Sequence, residues 1–262
     1  MEPHHDSTIR NLVAAFEKDP AILALILGGS LAHGFAKPDS DVDVAIVVSP
    51  EEFAWRRREA MLHYNNRTLC TYPGYIDGKF MDLAFLQLVA ERGSDPARFA
   101  FQDARILFSR LARLEELLAA IVRYPVAEQA ERIERFAAQA LCWRWYYSEG
   151  VRQQNDYLIT LALQKTALFT SRVLLALNAT FFPYHKWMLR VLDSVPRKPP
   201  GIVTRIEDLL RHHDFERVDC LCRDVLAFAG IDHDTANAAW PTRFMKDTEL
   251  RWMHEEPAID DL

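Results

Sequence analysis

The chain has 262 residues, 50% of them hydrophobic, with 31 lysines and arginines against 37 aspartates and glutamates. The resulting net charge of −6 argues against a protein that wraps nucleic acid, because affinity for phosphate backbones comes largely from Lys and Arg. No apolar run approaches the roughly 20 residues of a membrane span, and no signal-peptide pattern opens the chain. We therefore expect a cytoplasmic protein with no membrane partner.

The first predicted elements are a helix over residues 7–18 and a short apolar strand over residues 22–27 that stops at a glycine pair. Gly29 allows the backbone to approach a phosphate group closely. The Ser30 hydroxyl, together with the amides of a short helix predicted over residues 31–34, can donate hydrogen bonds to phosphate oxygens. The pattern predicts a phosphate-binding turn.

Asp41 and Asp43 open the next predicted strand, residues 42–48. Because side chains alternate along a strand, positions i and i+2 project from the same face. Two carboxylates on one face match the preference of Mg²⁺ for oxygen ligands, of which proteins usually supply one or two. The pair predicts a metal-binding edge beside the phosphate-binding turn.

A helix is predicted over residues 51–64, followed by a hairpin turn at Asp77 and Gly78. Asp82 then falls in the apolar stretch 79–86, which predicts an acidic residue inside a strand. An ionised carboxylate there is costly unless it is paired or binds a metal. A last strand over residues 105–109 is expected to close a mixed sheet.

After residue 110 the apolar residues recur at three- and four-residue spacing, which predicts an almost wholly helical region. The predicted helices cover residues 111–122, 127–148, 153–177, 185–194, 202–213 and 215–228, and the tail from residue 233 is expected to be irregular. The sequence thus predicts an α+β protein with two domains. Residues 1–110 form a small mixed-sheet catalytic domain, and residues 111–262 form a helical substrate-binding domain.

The pattern of Gly-Ser, a spacer of about ten residues, Asp-x-Asp and a later acid resembles the core of the DNA polymerase β-type nucleotidyltransferase superfamily. The resemblance covers about the first 110 residues, on residues 22–48 and 76–86. Among the branches of the superfamily, the chain most resembles small bacterial enzymes that adenylylate aminoglycoside or lincosamide antibiotics, and their uncharacterised relatives.

The resemblance implies that a substrate hydroxyl attacks the α-phosphorus of a nucleoside triphosphate, with ATP as the default donor, and that pyrophosphate leaves. It implies two Mg²⁺ ions held by Asp41 and Asp43, with Asp82 binding the ion nearest the nucleophile and accepting its proton. Gly29 and Ser30 would hold the β- and γ-phosphates. In the helical region, Arg172 and Lys186 are similar to a basic pair that antibiotic adenylyltransferases contribute to the triphosphate.

Three functions stay open: AMP transfer to a small-molecule hydroxyl, AMP transfer to a protein or RNA, and a non-catalytic nucleotide-binding interaction module. The third is disfavoured because all three acids are present. Glu149 or Asp156 could supply a general base. The sequence leaves open the acceptor, the base preference, and whether the protein is a monomer or a homodimer.

Overall fold

The computed structural model describes residues 1–254 and 259–260 and divides the chain into two compact units, Met1–Arg123 and Tyr124–Leu262. The sequence places the domain boundary near residue 110, whereas the first unit continues to Arg123. Leu114, Leu118 and Ile121 of the intervening helix are buried in the core of the first unit, which explains the later division. The division of function between the two units stays a prediction.

Unit 1 is an α+β fold, as predicted, and its elements are α1 (Pro3–Phe16), β1 (Ile22–Leu27), α2 (Gly29–Ala32), β2 (Val42–Val48), α3 (Pro50–Arg58), β3 (His63–Asn66), β4 (Ile76–Met81), α4 (Leu83–Arg92), α5 (Asp95–Phe99), β5 (Arg105–Ser109) and α6 (Leu114–Ile121). The five strands form one mixed sheet in the order β3-β4-β2-β1-β5. Strands β2 and β4 are parallel, and the other neighbouring pairs are antiparallel.

The two faces of this sheet carry separate apolar clusters, because side chains alternate along each strand. Val42, Val44 and Ile46 pack on one face, under α1. Ala24 and Val47 pack on the other face, together with residues of α4 and α6. Asp43, which alternates with Val42 and Val44, therefore belongs to the second face.

The predicted hairpin at Asp77 and Gly78 is wrong, because both residues lie inside β4. A Cβ added at Gly78 would lie 2.9 Å from Cδ1 of Ile46 and 3.1 Å from Cβ of Tyr64. Gly78 therefore serves close packing between neighbouring strands rather than a turn. The predicted helix over residues 51–64 is also too long, since α3 ends at Arg58 and β3 begins at His63.

Unit 2 contains α7 (Gln129–Gln153), α8 (Asp156–Leu177), α9 (Met188–Ser194), α10 (Ile202–Arg211), α11 (Phe215–Phe228) and α12 (His233–Phe244), with short 3-10 or π turns. It has no strand within the residues that the structure describes, in agreement with the predicted helical region. Gln154, with φ of 54°, ends α7, and the Asn155 side chain caps α8 by accepting from the backbone N–H of Leu158 at 3.1 Å.

Two expectations about unit 2 change. The tail from His233 is not irregular at its start, because α12 occupies it; Glu255, Glu256 and Asp261 of that tail lie outside the described residues. The apolar runs of the sequence predict no membrane-spanning segment, but α8 is long and apolar enough to cross a membrane. However, 67% of its apolar window is buried inside the structure, as in the central helix of a folded unit.

Candidate active site

The Gly-Ser turn at the end of β1 lies directly against β2. The backbone N–H of Gly28 donates to the carbonyl of Asp43 at 2.9 Å. Gly29 has a φ of +59°, and a Cβ at this position would lie 1.8 Å from Oδ2 of Asp43. Only glycine fits there, because the position combines a left-handed backbone with contact to a carboxylate. The helix that follows starts at Gly29, two residues earlier than predicted.

Ser30 presents an unusual polar group. The residue is 7% exposed, and its hydroxyl has no hydrogen-bond partner among the described residues. Leaving a buried hydroxyl unpaired costs roughly 1–3 kcal/mol, so such groups in folded proteins call for an explanation. Ser30 directly follows Gly29, which lies against Asp43, so a ligand bound at this turn would supply the missing partner.

Asp41 and Asp43 lie where the sequence predicts. Asp43 is in β2, and Asp41 immediately precedes that strand; both are half-buried. Val42, between them, donates its backbone N–H to the carbonyl of Tyr75 at 3.1 Å. This bond extends the parallel pairing of the strands to the residue before β4.

Asp77 in β4 is the register partner of Asp43. Partners in neighbouring strands project from the same face, and such strands are about 4.8 Å apart. His63 of β3 contacts the Asp77 carboxylate through its Nε2 atom at 2.6 Å. The structure therefore brings a third acidic residue beside Asp43, and it is Asp77.

Asp82 lies elsewhere. It follows the last residue of β4 and caps α4, where its carboxylate accepts the backbone N–H of Phe85 at 2.8 Å. The preceding residue, Met81, pairs with Val47 rather than with the start of β2. Asp82 is thus separated from Asp77 by roughly 16 Å of extended strand. The prediction of an acid inside a strand is wrong, and the structure does not bring Asp82 to Asp41 and Asp43.

Two tyrosines report on the charge around these carboxylates. A hydrogen bond to the Asp41 carboxylate and the negative charge of Asp41 raise the pKa of Tyr75, and Asp77 and Asp43 add to the effect. Burial raises the pKa of Tyr72 to about 12, with smaller effects of Cys70, Asp41 and Asp43. Both phenols therefore keep their protons at neutral pH and can act as hydrogen-bond donors.

The structure argues against Arg172 as a phosphate ligand. Arg172 is 1% exposed, and its guanidinium lies 4.3 Å from the ring centroid of Phe136 and 4.6 Å from that of Phe182. One of its nitrogens donates to the backbone carbonyl of Asp260. These contacts make Arg172 part of the interior of unit 2.

The other candidates in unit 2 are accessible. Lys186 is exposed, with its ammonium 5.3 Å from the ring centroid of Trp187. Asp156 is exposed in the first turn of α8. Hydrogen bonding from Arg152 lowers the pKa of Glu149, which makes that carboxylate a weaker base.

Sequence reasoning missed Asp77 because the Asp-Gly dipeptide is typical of a hairpin turn. A usable signal was present in the alternation of Ile76, Gly78 and Phe80 with Asp77 and Lys79. That alternation is the period of a half-buried strand, and it continues through the glycine. The burial pattern of β4 follows it, with the odd-numbered positions 77 and 79 less buried than their neighbours.

A Gly-Ser turn packed against Asp43 in a small mixed sheet agrees with the resemblance to the DNA polymerase β-type nucleotidyltransferases. Residues 9–79 match the family described as a nucleotidyltransferase domain. The chain therefore contains a nucleotidyltransferase domain of this superfamily, and the protein is a transferase.

A solved structure described as a nucleotidyltransferase-like protein from Exiguobacterium sibiricum 255-15 is similar to the chain at 11% identity and a TM-score of 0.49. The similarity covers 94% of this chain and 80% of that one. No curated protein matches the chain.

Proposed function

We propose that the protein transfers AMP from ATP to a hydroxyl group of a small molecule, such as an aminoglycoside-like or lincosamide-like compound, in a Mg²⁺-dependent reaction that releases pyrophosphate. The observation that carries the proposal is the packing of the turn at Gly28 and Gly29 against Asp43, where β1 ends and β2 begins in the sheet of unit 1. A phosphate-binding turn beside paired carboxylates is the equipment that nucleotidyl transfer needs.

The turn suits a polyphosphate. The missing Cβ of Gly29 lets the Asp43 carboxylate lie directly against the turn, so a cation held by that carboxylate would lie next to the phosphates bound at the turn. The unpaired Ser30 hydroxyl can donate to a phosphate oxygen and so gain the partner that it lacks in the described residues. We assign the β- and γ-phosphates to these two residues.

The carboxylates suit Mg²⁺ that is bound together with substrate. No three His, Cys, Asp or Glu side chains within residues 1–254 and 259–260 form a ready metal cluster. Mg²⁺ commonly takes only one or two carboxylates and completes its shell with waters and phosphate oxygens. We therefore assign the cations to Asp41, Asp43 and Asp77, with the triphosphate supplying further ligands, and we give Asp82 a structural role as a helix cap.

In the reaction, the acceptor oxygen forms a bond to the α-phosphorus while the bond from that phosphorus to the pyrophosphate oxygen breaks. The cations, when bound, stabilise the charge on the attacking and leaving oxygens. Through these cations, Asp41 and Asp43 would hold the reacting end of the triphosphate in place, and the proton of the acceptor hydroxyl would pass to one of the carboxylates of Asp41, Asp43 and Asp77. Such positioning supplies most of the catalysis in phosphoryl transfer.

Unit 2 is the proposed acceptor-binding part. Its accessible charged residues include Lys186, proposed for the triphosphate, and Asp156, proposed for a cationic acceptor. The overall charge of −6 is compatible with a cationic substrate such as an amino sugar.

The test is Mg²⁺-dependent pyrophosphate release from each of the four ribonucleoside triphosphates with pooled aminoglycosides, lincosamides, tRNA or the protein alone. Products are read by mass. We expect a gain of one AMP on a single small molecule, abolished by Asp43→Asn, which removes a charge and keeps the side-chain shape. Transfer to tRNA or protein would replace the small-molecule acceptor. If the protein binds no triphosphate with Mg²⁺, the catalytic proposal fails.

A further inference from the structure

Three aromatic side chains, His4, His5 and Tyr72, form a cluster next to the segment that leads into Asp41. The ring centroids of His4 and His5 are 4.3 Å apart, and those rings lie 4.5 and 5.0 Å from the ring of Tyr72. His5 is fully buried. We call these three residues the aromatic clamp.

The tautomer of His5 follows from its neighbours. The backbone N–H of Glu2 donates to Nδ1 of His5 at 3.2 Å, so Nδ1 carries no proton. The neutral ring must then carry its proton on Nε2, and this atom lies 3.1 Å from the carbonyl oxygen of Ser40. His5 is therefore a hydrogen-bond donor to Ser40.

Tyr72 donates to the same carbonyl oxygen. Its hydroxyl lies 2.5 Å from the oxygen of Ser40, and its raised pKa keeps the phenol protonated. A carbonyl oxygen has two lone pairs, so His5 and Tyr72 together use its full capacity. His4 adds a third bond to the same segment, from Nε2 to the carbonyl of Pro38 at 2.9 Å.

These bonds fix the backbone on one side of Asp41. The Ser40 carbonyl belongs to the peptide that joins Ser40 to Asp41. On the other side, the backbone N–H of Val42 is fixed by the carbonyl of Tyr75 at 3.1 Å. Asp41 precedes β2, so the clamp supplies a restraint that strand pairing alone does not. The direction of the Asp41 carboxylate depends on both restraints, the clamp at Ser40 and the hydrogen bond at Val42.

We propose that the aromatic clamp positions Asp41 for binding the catalytic cation, with His5 and Tyr72 acting through the Ser40 carbonyl. This inference rests on the proposed function, in which Asp41 is a cation ligand. The clamp residues are positioning residues, because they act on Asp41 through the backbone carbonyls of Pro38 and Ser40. Residues that orient metal ligands in this way typically change metal affinity or activity by about 10- to 100-fold when replaced.

The experiment measures Mn²⁺ affinity in the presence of a non-hydrolysable ATP analogue, by electron paramagnetic resonance, alongside kcat and the thermal midpoint of unfolding. His5→Phe keeps a ring and removes the donor, Tyr72→Phe removes only the hydroxyl, and His5→Gln keeps a donor near the place of Nε2. Asn11→Ala is the matched control, because Asn11 also ties α1 to a backbone carbonyl, that of Leu69, at 3.0 Å.

We expect His5→Phe and Tyr72→Phe to weaken Mn²⁺ binding by about 10-fold and to lower kcat by about 10- to 100-fold. His5→Gln should recover most of both, and Asn11→Ala should change neither. If His5→Phe and Tyr72→Phe lower only the thermal midpoint, with Mn²⁺ affinity as in wild type, the clamp is purely structural and the proposal is overturned. If Asp43→Asn binds Mn²⁺ as wild type does, the proposed cation site itself is wrong, which separates that failure from a failure of the clamp.

Discussion

Asp43 of β2 and Asp77 of β4 are register partners in parallel strands, so their side chains leave the sheet on the same face. Asp82, the third acid of the sequence pattern, lies at the opposite end of β4 and caps α4. Asp77 as a cation ligand and Asp82 as a helix cap should respond differently to single substitutions. Loss of charge disables a cation ligand, whereas a helix cap tolerates it.

Asp77→Asn is expected to lower kcat at least about 100-fold, because it removes a charged ligand of the cations that stabilise the transferring group. Asp82→Asn should leave kcat near wild type, since asparagine caps helices about as well as aspartate. Asp82→Ala should cost about 1 kcal/mol in unfolding free energy and leave kcat unchanged. Steady-state kinetics and urea unfolding of the three variants provide the measurement. Loss of turnover in Asp82→Asn, with Asp77→Asn still active, would show that Asp82 and not Asp77 is the third cation-binding acid.

Gly29→Ala should abolish turnover and destabilise the fold, because its Cβ would meet the Asp43 carboxylate at 1.8 Å. Gly34→Ala is the matched control: Gly34 also has a positive φ, +71°, but nothing lies within 4 Å of its added Cβ. That variant should lose about 1 kcal/mol of stability from backbone strain and keep its activity. Equal kcat values for the two variants would contradict a functional contact at Gly29.

Ser30→Ala should raise the KM for the triphosphate by about 10-fold without lowering the unfolding free energy, because the hydroxyl is buried and has no partner in the described residues. Ser49→Ala gives the opposite expectation. The Ser49 hydroxyl caps α3 by accepting from the backbone N–H of Glu52 at 3.3 Å, so its loss should cost about 1 kcal/mol and leave KM unchanged. Titration of triphosphate binding together with urea unfolding checks both. A stability loss in Ser30→Ala would indicate a structural partner instead.

The α+β class and three strands, Ile22–Leu27, Val42–Val48 and Arg105–Ser109, follow from the sequence with the same bounds in the structure. These segments are rich in apolar and β-branched residues, so local pattern decides them. The region around Asp77 and Gly78 could not be read in this way. Gly78 is needed because Ile46 and Tyr64 on the neighbouring strands leave no room for a side chain there, and such contacts depend on the sheet order.

Arg172 shows the same limit in the helical unit. Periodicity places it on a long helix, but not on the side that faces Phe136 and Phe182. A basic residue on a helix is most often solvated, so burial of this guanidinium between two rings is a tertiary outcome. The phosphate-binding role that the resemblance implies for Arg172 therefore depends on helix packing, which local sequence does not determine.

Stability should fall as the pH drops below about 6.5. Burial lowers the pKa of His5 and of His33 from the usual value of 6.5. The unfolded chain then binds protons more readily than the folded one, so stability present above pH 6.5 is lost towards the lower folded pKa values. Urea midpoints at pH 7.5 and 5.5 measure the loss. His5→Gln should reduce it, whereas the same change at the exposed His212 should not. An identical pH dependence in His5→Gln would refute this account.

Lys186 and Arg172 are expected to respond to substitution in opposite ways. Arg172→Ala leaves the space between Phe136 and Phe182 unfilled and removes the donor to Asp260, so we expect a loss of about 3 kcal/mol in unfolding free energy with little change in the KM for ATP.

Lys186 is exposed, and Lys186→Ala should leave stability within about 0.5 kcal/mol of wild type. If Lys186 contacts the triphosphate, that variant should raise the KM for ATP about 10-fold and show a weaker dependence of KM on salt, because a charge pair is lost. Lys198→Ala, which removes another lysine of unit 2, controls for a general effect of charge. A KM for ATP unchanged in Lys186→Ala would leave the helical unit without an assigned phosphate ligand, and a raised KM in a well-folded Arg172→Ala would return that role to Arg172.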